Sequence, residues 1–181
     1  MKSPGKRVAV AVALCAVASL WLADEYPAFR FHGDGRFSGG PVFGYTVTMR
    51  PIPFAQAGEY VFHFRGLPEQ EMTLELYAEG ESEGDRDELT HLGTTLGAAL
   101  VDQNGRILCQ ASTTAQGNSG HNWVLTSGSD EAAFWHRNCA GMLLKPPLAY
   151  TLTLRISNVD PKTPRINLVP VLHSDQLDLL P

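Results

Sequence analysis

The chain has 181 residues, 44% of them apolar, and a formal net charge of −5 at pH 7. This length and composition are sufficient for one domain with a hydrophobic core. Residues 1–23 contain three of the fourteen basic residues and no acidic residue. The remainder therefore has eleven basic against nineteen acidic residues, a formal charge of −8. Such a charge disfavours nucleic acids and anionic membrane surfaces as partners, and it permits basic proteins or metal ions.

Residues 1–23 predict an export segment. Lys2, Lys6 and Arg7 precede sixteen uncharged residues, fewer than the roughly 20 that a membrane-spanning helix needs. A small-x-small pattern favours a signal peptide cleaved after Ala18. The alternative is a retained anchor in the inner membrane, with the domain outside the cytoplasm. Both predict a periplasmic or secreted protein that touches the membrane only through this segment.

The rest of the chain divides into three parts. Residues 24–44 contain five glycines and predict a tether followed by an irregular edge strand. Residues 45–173 predict the folded domain. Residues 174–181 predict a short C-terminal tail.

Apolar and polar residues alternate in many short segments of residues 45–173, which is the pattern of half-buried β-strands. In one of them Tyr60, Phe62 and Phe64 share a face. The predicted strands cover residues 45–50, 59–65, 72–78, 98–101, 107–109, 123–126, 132–135, 150–157 and 165–172. Seven to nine short strands without a helix of normal length predict an all-β protein, an antiparallel β-sandwich of jelly-roll or Greek-key type.

A β-hairpin is predicted at residues 96–110, where Asn104-Gly105 lies between two apolar runs. Asn-Gly favours a tight turn with both central residues at positive φ. We expect this hairpin to lie in the middle of a sheet. Its second strand carries Cys109, and Cys139 is its one plausible partner after Cys15 leaves with the export segment. A disulfide closing about 31 residues contributes roughly 3.5 kcal/mol; two reduced buried thiols are the alternative.

A short part of the chain resembles a known family. The sequence AGEYVF at residues 57–62, followed by ALVDQNG at residues 99–105, is similar to the jelly-roll modules appended to secreted bacterial peptidases, the pre-peptidase C-terminal type. About 50 residues carry this resemblance. It implies the jelly-roll fold and a non-catalytic role in binding or as an accessory domain.

An acidic segment at residues 79–88 is the one candidate metal site. Alternating carboxylates around a glycine resemble the start of a calcium-binding loop, although Thr90 stands where the bidentate glutamate belongs and no helices flank the loop. Loose calcium binding and a simple solvated loop are the two interpretations, and no other cofactor is predicted. The candidate calcium ligands are Glu79, Glu81, Glu83, Asp85 and Asp87.

A second cluster combines aromatic and polar residues. Tryptophan and arginine are frequent anchors of protein interfaces, and this cluster could lie at one end of the sandwich. Core packing is the alternative for both tryptophans. The candidate contact residues are His121, Trp123, Trp135, His136 and Arg137.

A hydrolase needs a nucleophile beside a base. The best set that the chain offers has Cys139 or Ser119 as the nucleophile, His136 or His121 as the base, and Asp130 as the acid. Gly117-Asn118-Ser119-Gly120 is not a nucleophile elbow. We therefore expect no catalysis.

The sequence thus predicts a protein of the bacterial cell envelope that binds another protein, as an accessory subunit or an immunity-type protein. A carbohydrate- or calcium-binding module is the first alternative. An unrecognised hydrolase is the second.

Overall fold

The fold is built almost entirely of β-strands. The computed structural model describes residues 30–40, 44–79, 89, 91–116, 122–127 and 132–174. In chain order the elements are β1 (His32–Gly33), β2 (Arg36–Gly40), β3 (Gly44–Thr48), β4 (Ile52–Pro53), β5 (Gly58–Arg65), β6 (Gln70–Glu79), β7 (His91–Asp102), β8 (Ile107–Gln116), β9 (Val124–Ser127), β10 (Ala132–Trp135), a 3₁₀ turn (Arg137–Cys139), β11 (Met142–Leu144), β12 (Ala149–Ser157) and β13 (Asn167–His173).

The strands form two antiparallel sheets that pack as a sandwich. The five-stranded sheet has the order β1-β5-β12-β7-β8. The eight-stranded sheet has the order β2-β3-β13-β6-β10-β9, with β4 beside β13 and β11 beside β6. Eight of these strands form the jelly roll, and we number them one to eight in chain order: β3, β5, β6, β7, β8, β10, β12 and β13. With these numbers, the five-stranded sheet contains the order 2-7-4-5 and the eight-stranded sheet the order 1-8-3-6. This is the strand order of a jelly roll. The predicted fold is confirmed.

The described residues contain thirteen strands, more than the seven to nine expected. The additional strands are short pieces at sheet edges. β1 and β4 have two residues each, and β10 and β11 pair with two halves of the same strand, β6. The glycine-rich stretch contributes β1 and β2.

Alternation places one side of each central strand in a shared core. On β6, Met72, Leu74 and Leu76 are buried, and on β12 Leu152 and Leu154 are buried. Both sheets contribute to a single hydrophobic cluster. Burial of each leucine contributes about 2 kcal/mol to the free energy of unfolding.

The β7–β8 hairpin differs from its prediction in two ways. β7 is an interior strand, but among the described strands β8 pairs with β7 alone and forms the edge of its sheet, so the hairpin is not in mid-sheet. Gly105 has a φ of +81°, whereas Asn104 is not among the residues of positive φ. The Asp102 carboxylate accepts hydrogen bonds from the backbone N–H groups of Asn104 and Arg106, which stabilises a wider turn with one left-handed residue.

The predicted export segment, residues 1–23, lies outside the described residues. Within the part that the structure describes, no helix has the length and apolar character to cross a membrane.

Candidate functional site

A break in the edge of the eight-stranded sheet brings the two sheets together. Residues 136–141 separate β10 from β11 and approach β8 of the other sheet. Cys139, in this segment, forms a disulfide with Cys109 of β8, and their Cα atoms are 4.8 Å apart. The Asn138 side-chain N–H group also donates a hydrogen bond of 3.2 Å to the Gln110 carbonyl oxygen. The predicted disulfide is confirmed, and it indicates an oxidising compartment outside the cytoplasm.

Trp123 and His136 of the predicted contact cluster lie inside the sandwich. Trp123 is 0% exposed and His136 is 3% exposed. Their rings meet edge to face at 5.6 Å between centroids, and the Trp123 indole donates a hydrogen bond of 2.9 Å to the Leu96 carbonyl oxygen. The His136 Nδ1 atom accepts a hydrogen bond from the Asn138 backbone N–H group. Both side chains therefore stabilise the core and offer no surface to a partner.

The other members of the cluster are separated from this pair. Trp135 is half-buried on β10, and Arg137 is exposed on the 3₁₀ turn. His121 lies outside the described residues. The structure therefore does not bring the five candidates together at one end of the sandwich.

Trp135 belongs instead to the outer face of the eight-stranded sheet. Since Phe134 is a core residue, its neighbours Ala133 and Trp135 point outward. The strand register places Val171, Glu75 and Trp135 in one row across the face. It places Val169, Tyr77 and Ala133 in the next row. We call these six residues the outer patch.

Five of the six residues of the outer patch are apolar or aromatic. Val171 is 8% exposed and Ala133 is 5% exposed, although neither belongs to the core cluster. Beside them is a shallow cavity of about 390 Å³, lined in part by Tyr77, Val169 and His173. The His173 Nε2 atom lies 3.3 Å from a Glu75 carboxylate oxygen. One member of a charged or polar pair therefore lies within the patch, because Glu75 is between Val171 and Trp135 in their row.

The outer face of the five-stranded sheet has a different character. Its central strand presents Thr151, Thr153 and Arg155 outward, and its neighbour β5 presents His63 and Arg65. The side chains on this face are therefore mainly hydroxylated or charged. The outer patch therefore makes its sheet face the more apolar of the two outer faces.

The structure tests little of the predicted calcium site. Glu79 is exposed at the end of β6, and Glu81, Glu83, Asp85 and Asp87 lie outside the described residues. Elsewhere in the described ranges, no three histidine, cysteine or acidic side chains are arranged to hold a metal ion.

The residues of the hydrolase alternative are also dispersed. Ser119, His121 and Asp130 lie outside the described residues. Cys139 is bonded to Cys109, and a disulfide sulfur is not a thiolate nucleophile. His136 is buried against Trp123.

Comparison with known proteins adds no functional information: no family model, no curated protein and no solved structure matches the chain. The resemblance to pre-peptidase C-terminal modules therefore stays a prediction.

Sequence reasoning missed most of the outer patch because its members come from three strands that are distant in the chain. One signal was present. β13 carries Leu168 and Leu172 on one face and Val169 and Val171 on the other, so it is apolar on both faces. Such a strand is expected where a sheet is covered on both sides.

Proposed function

We propose that the protein is a non-catalytic binding protein of the bacterial cell envelope that contacts a protein partner through the outer patch. The observation that carries this proposal is that the half-buried side chains of Tyr77, Trp135 and Val169 lie together on the outward face of three neighbouring strands. An accessory subunit or an immunity-type protein fits such a role. The resemblance to accessory jelly-roll modules supports it as well.

The composition of the outer patch favours a protein partner. Interfaces are enriched in tyrosine and tryptophan at their centres, where water is excluded. Tyr77 and Trp135 supply two such rings on adjacent strands, and Val169 and Val171 lie beside them. Glu75 within the patch and His173 beside it supply polar contacts that favour one orientation of the partner over others.

Affinity purification from envelope extracts tests the proposal. The wild-type protein is compared with Tyr77→Lys and Trp135→Lys, because lysine retains an aliphatic stem at the half-buried position but adds a charge. The matched control is Val61→Lys, on the outer face of the five-stranded sheet, where Val61 is 37% exposed. We expect a specific partner with the wild type and the control, and its loss with both patch variants. Equal recovery with all four proteins would contradict the proposal.

A carbohydrate ligand is the second candidate, favoured by the exposed parts of Tyr77 and Trp135 on one face. Aromatic rings with nearby hydrogen-bonding side chains are suited to a small polar ligand with an apolar face. Titration with cell-wall and capsular glycans should then change tryptophan fluorescence in the wild type and not in Trp135→Phe. Trp21 and the buried Trp123 are present in both proteins and provide the unchanged background signal.

The same proposal includes export of the protein through its N-terminal segment. The protein is then either released after cleavage of a signal peptide or retained in the inner membrane by an uncleaved anchor. The mass of the protein recovered from the envelope fraction tests this part. Cleavage after Ala18 removes residues 1–18, whereas a retained anchor leaves the chain intact and membrane-associated.

A further inference from the structure

A groove separates the edges of the two sheets beyond the disulfide. Its volume is about 490 Å³. The beginning of β8 forms one side and β11 the other, with Tyr150 and Leu148 at the base. The residues on its walls include Asp102, Arg106, Ile107, Leu108, Met142, Leu143 and Lys145.

The strands turn their edges toward this groove. Met142 is buried and Leu143 is 43% exposed, yet both line the groove. Consecutive side chains of a strand point to opposite faces of the sheet. A groove that is lined by two consecutive residues must therefore run along the edge of the strand. β8 has a bulge at this point: Val101 pairs with Ile107 and Leu100 with Cys109, so Leu108 is an extra residue to which strict alternation does not apply. β8 pairs with β7 and β11 pairs with β6, each on the side away from the groove.

The groove is also chemically distinct from the rest of the surface. Among the described residues the exposed large apolar side chains are Val61, Ile107 and Leu143, and two of these three lie here. Ile107, with 57% exposure, is the most exposed. Free strand edges with exposed apolar side chains are ready to pair with another chain.

Two cations lie beside these apolar side chains. Arg106 makes no ion pair within the described residues, and Lys145 contacts Glu69 at 3.2 Å in an exposed pair, which is weak. The backbone that carries them is held firmly. The Tyr150 hydroxyl bonds to both the N–H group and the carbonyl oxygen of Lys145, and the Asp102 carboxylate bonds to the Arg106 N–H group.

We propose that this groove binds an extended segment of a partner polypeptide in which acidic and apolar side chains alternate. The segment adds as a strand to β11 through backbone hydrogen bonds. Its apolar side chains contact Ile107 and Leu143, and its carboxylates pair with Arg106 and Lys145. The free strand edges favour a peptide over a lipid, because an acyl chain cannot use backbone donors and acceptors. This site is separate from the outer patch and does not depend on its function.

The test uses a capped heptapeptide in which four leucine or valine residues alternate with three glutamates, and a second peptide with lysines instead of the glutamates. Each is titrated into ¹⁵N-labelled protein and followed by amide chemical shifts. We expect saturable shifts at residues 106–108 and 141–145, with the acidic peptide binding about three- to tenfold more tightly. This preference opposes the net negative charge of the whole chain, so general electrostatic attraction predicts the reverse order.

Variants and modified probes separate strand addition from simpler contacts. Leu143→Asp should abolish the shifts, while Val61→Asp, the matched exposed position, should retain them. If Leu143→Asp does not fold, the charge reversal Arg106→Glu with Lys145→Glu should invert the preference between the two peptides. Peptides methylated at alternate backbone nitrogens should bind at least about tenfold more weakly if strand addition occurs.

Three results would overturn the inference. The first is equal or absent binding of the two peptides up to millimolar concentration. The second is equal binding of the N-methylated peptides. The third is saturable binding of decanoate in the groove when neither peptide binds, which would identify a lipid site instead.

Discussion

The indole N–H group of Trp123 donates a hydrogen bond of 2.9 Å to the carbonyl oxygen of Leu96, a residue of β7 in the opposite sheet. Trp123 immediately precedes β9, the edge strand of the eight-stranded sheet. A side chain from one sheet thus satisfies a backbone group of the other, close to the Cys109–Cys139 disulfide. The same edge of the sandwich is held together twice, once by a hydrogen bond and packing, and once by a covalent bond.

Trp123→Phe should lower the free energy of unfolding by about 2–4 kcal/mol. The substitution removes a buried hydrogen bond and leaves a cavity where the larger ring was packed. Urea unfolding followed by circular dichroism measures the change. Trp135→Phe is the matched control, and its half-buried position predicts a loss below about 1 kcal/mol. Equal losses in the two variants would contradict the structural role assigned to Trp123.

Replacing Cys109 and Cys139 together by serine should lower the free energy of unfolding by about 2–4 kcal/mol, because the unfolded chain regains the freedom of the closed loop. The jelly-roll fold should persist, since both sheets share a core that does not require the bond. Reduced wild-type protein serves as the control and should unfold at nearly the same denaturant concentration as the double variant. Unchanged stability would show that the disulfide contributes nothing.

Ionisation of the Tyr150 phenol should lower the free energy of unfolding of the protein in alkaline solution. Burial raises the pKa of its phenol above the ordinary 10.0, and the Asp102 charge acts in the same direction, while the Lys145 hydrogen bond and Arg106 oppose it. The unfolded state therefore ionises first as the pH rises. The contribution of the protonated phenol to the free energy of unfolding is complete below pH 10.0 and is lost as the pH rises through the pKa of Tyr150 in the folded state.

Tyr150→Phe tests this sign. The variant should be less stable at neutral pH by about 1–3 kcal/mol, because two hydrogen bonds to the Lys145 backbone are lost. Its stability should then decline less between pH 9 and 11 than that of the wild type, a range of about two units around the ordinary pKa of the phenol. Tyr60→Phe should retain the wild-type decline. A steeper decline in Tyr150→Phe would contradict the assignment.

Gly33→Ala should release β1 from β5. Gly33 has a φ of +135°, and an added Cβ would overlap the His63 carbonyl oxygen and the Phe64 backbone. Amide hydrogen exchange should accelerate at Asp34 and His63, which bond to each other across this contact. Gly105→Ala is the control. Its φ is +81° but no atom lies within 4 Å of the added Cβ, so it should cost only about 1–2 kcal/mol and leave exchange at His63 unchanged.

The strands could be predicted because alternation is a local property. Neighbouring side chains of a strand must point to opposite faces. The buried face of β5, which includes Phe62, and that of β12, which includes Leu152, were therefore predictable from the residues of each strand alone. The disulfide was predictable by counting, since two cysteines follow the predicted export segment. Neither inference requires any knowledge of which strands are neighbours.

The candidate sites required that knowledge. Trp123 and Trp135 look alike in the chain, but one fills the core and the other lies on the outer face, because each position depends on which sheet and which edge the strand joins. The outer patch combines β6, β10 and β13, and the groove combines β8 with β11.

The sequence by itself determined the strands, their buried sides and the cysteine pair, because these depend on side-chain period and composition. Only the tertiary structure decided the jelly-roll order, the edge position of β8 and the surfaces left for partners. Strand pairing joins residues that are far apart in the chain, and its register depends on the packing of the whole core rather than on any local pattern.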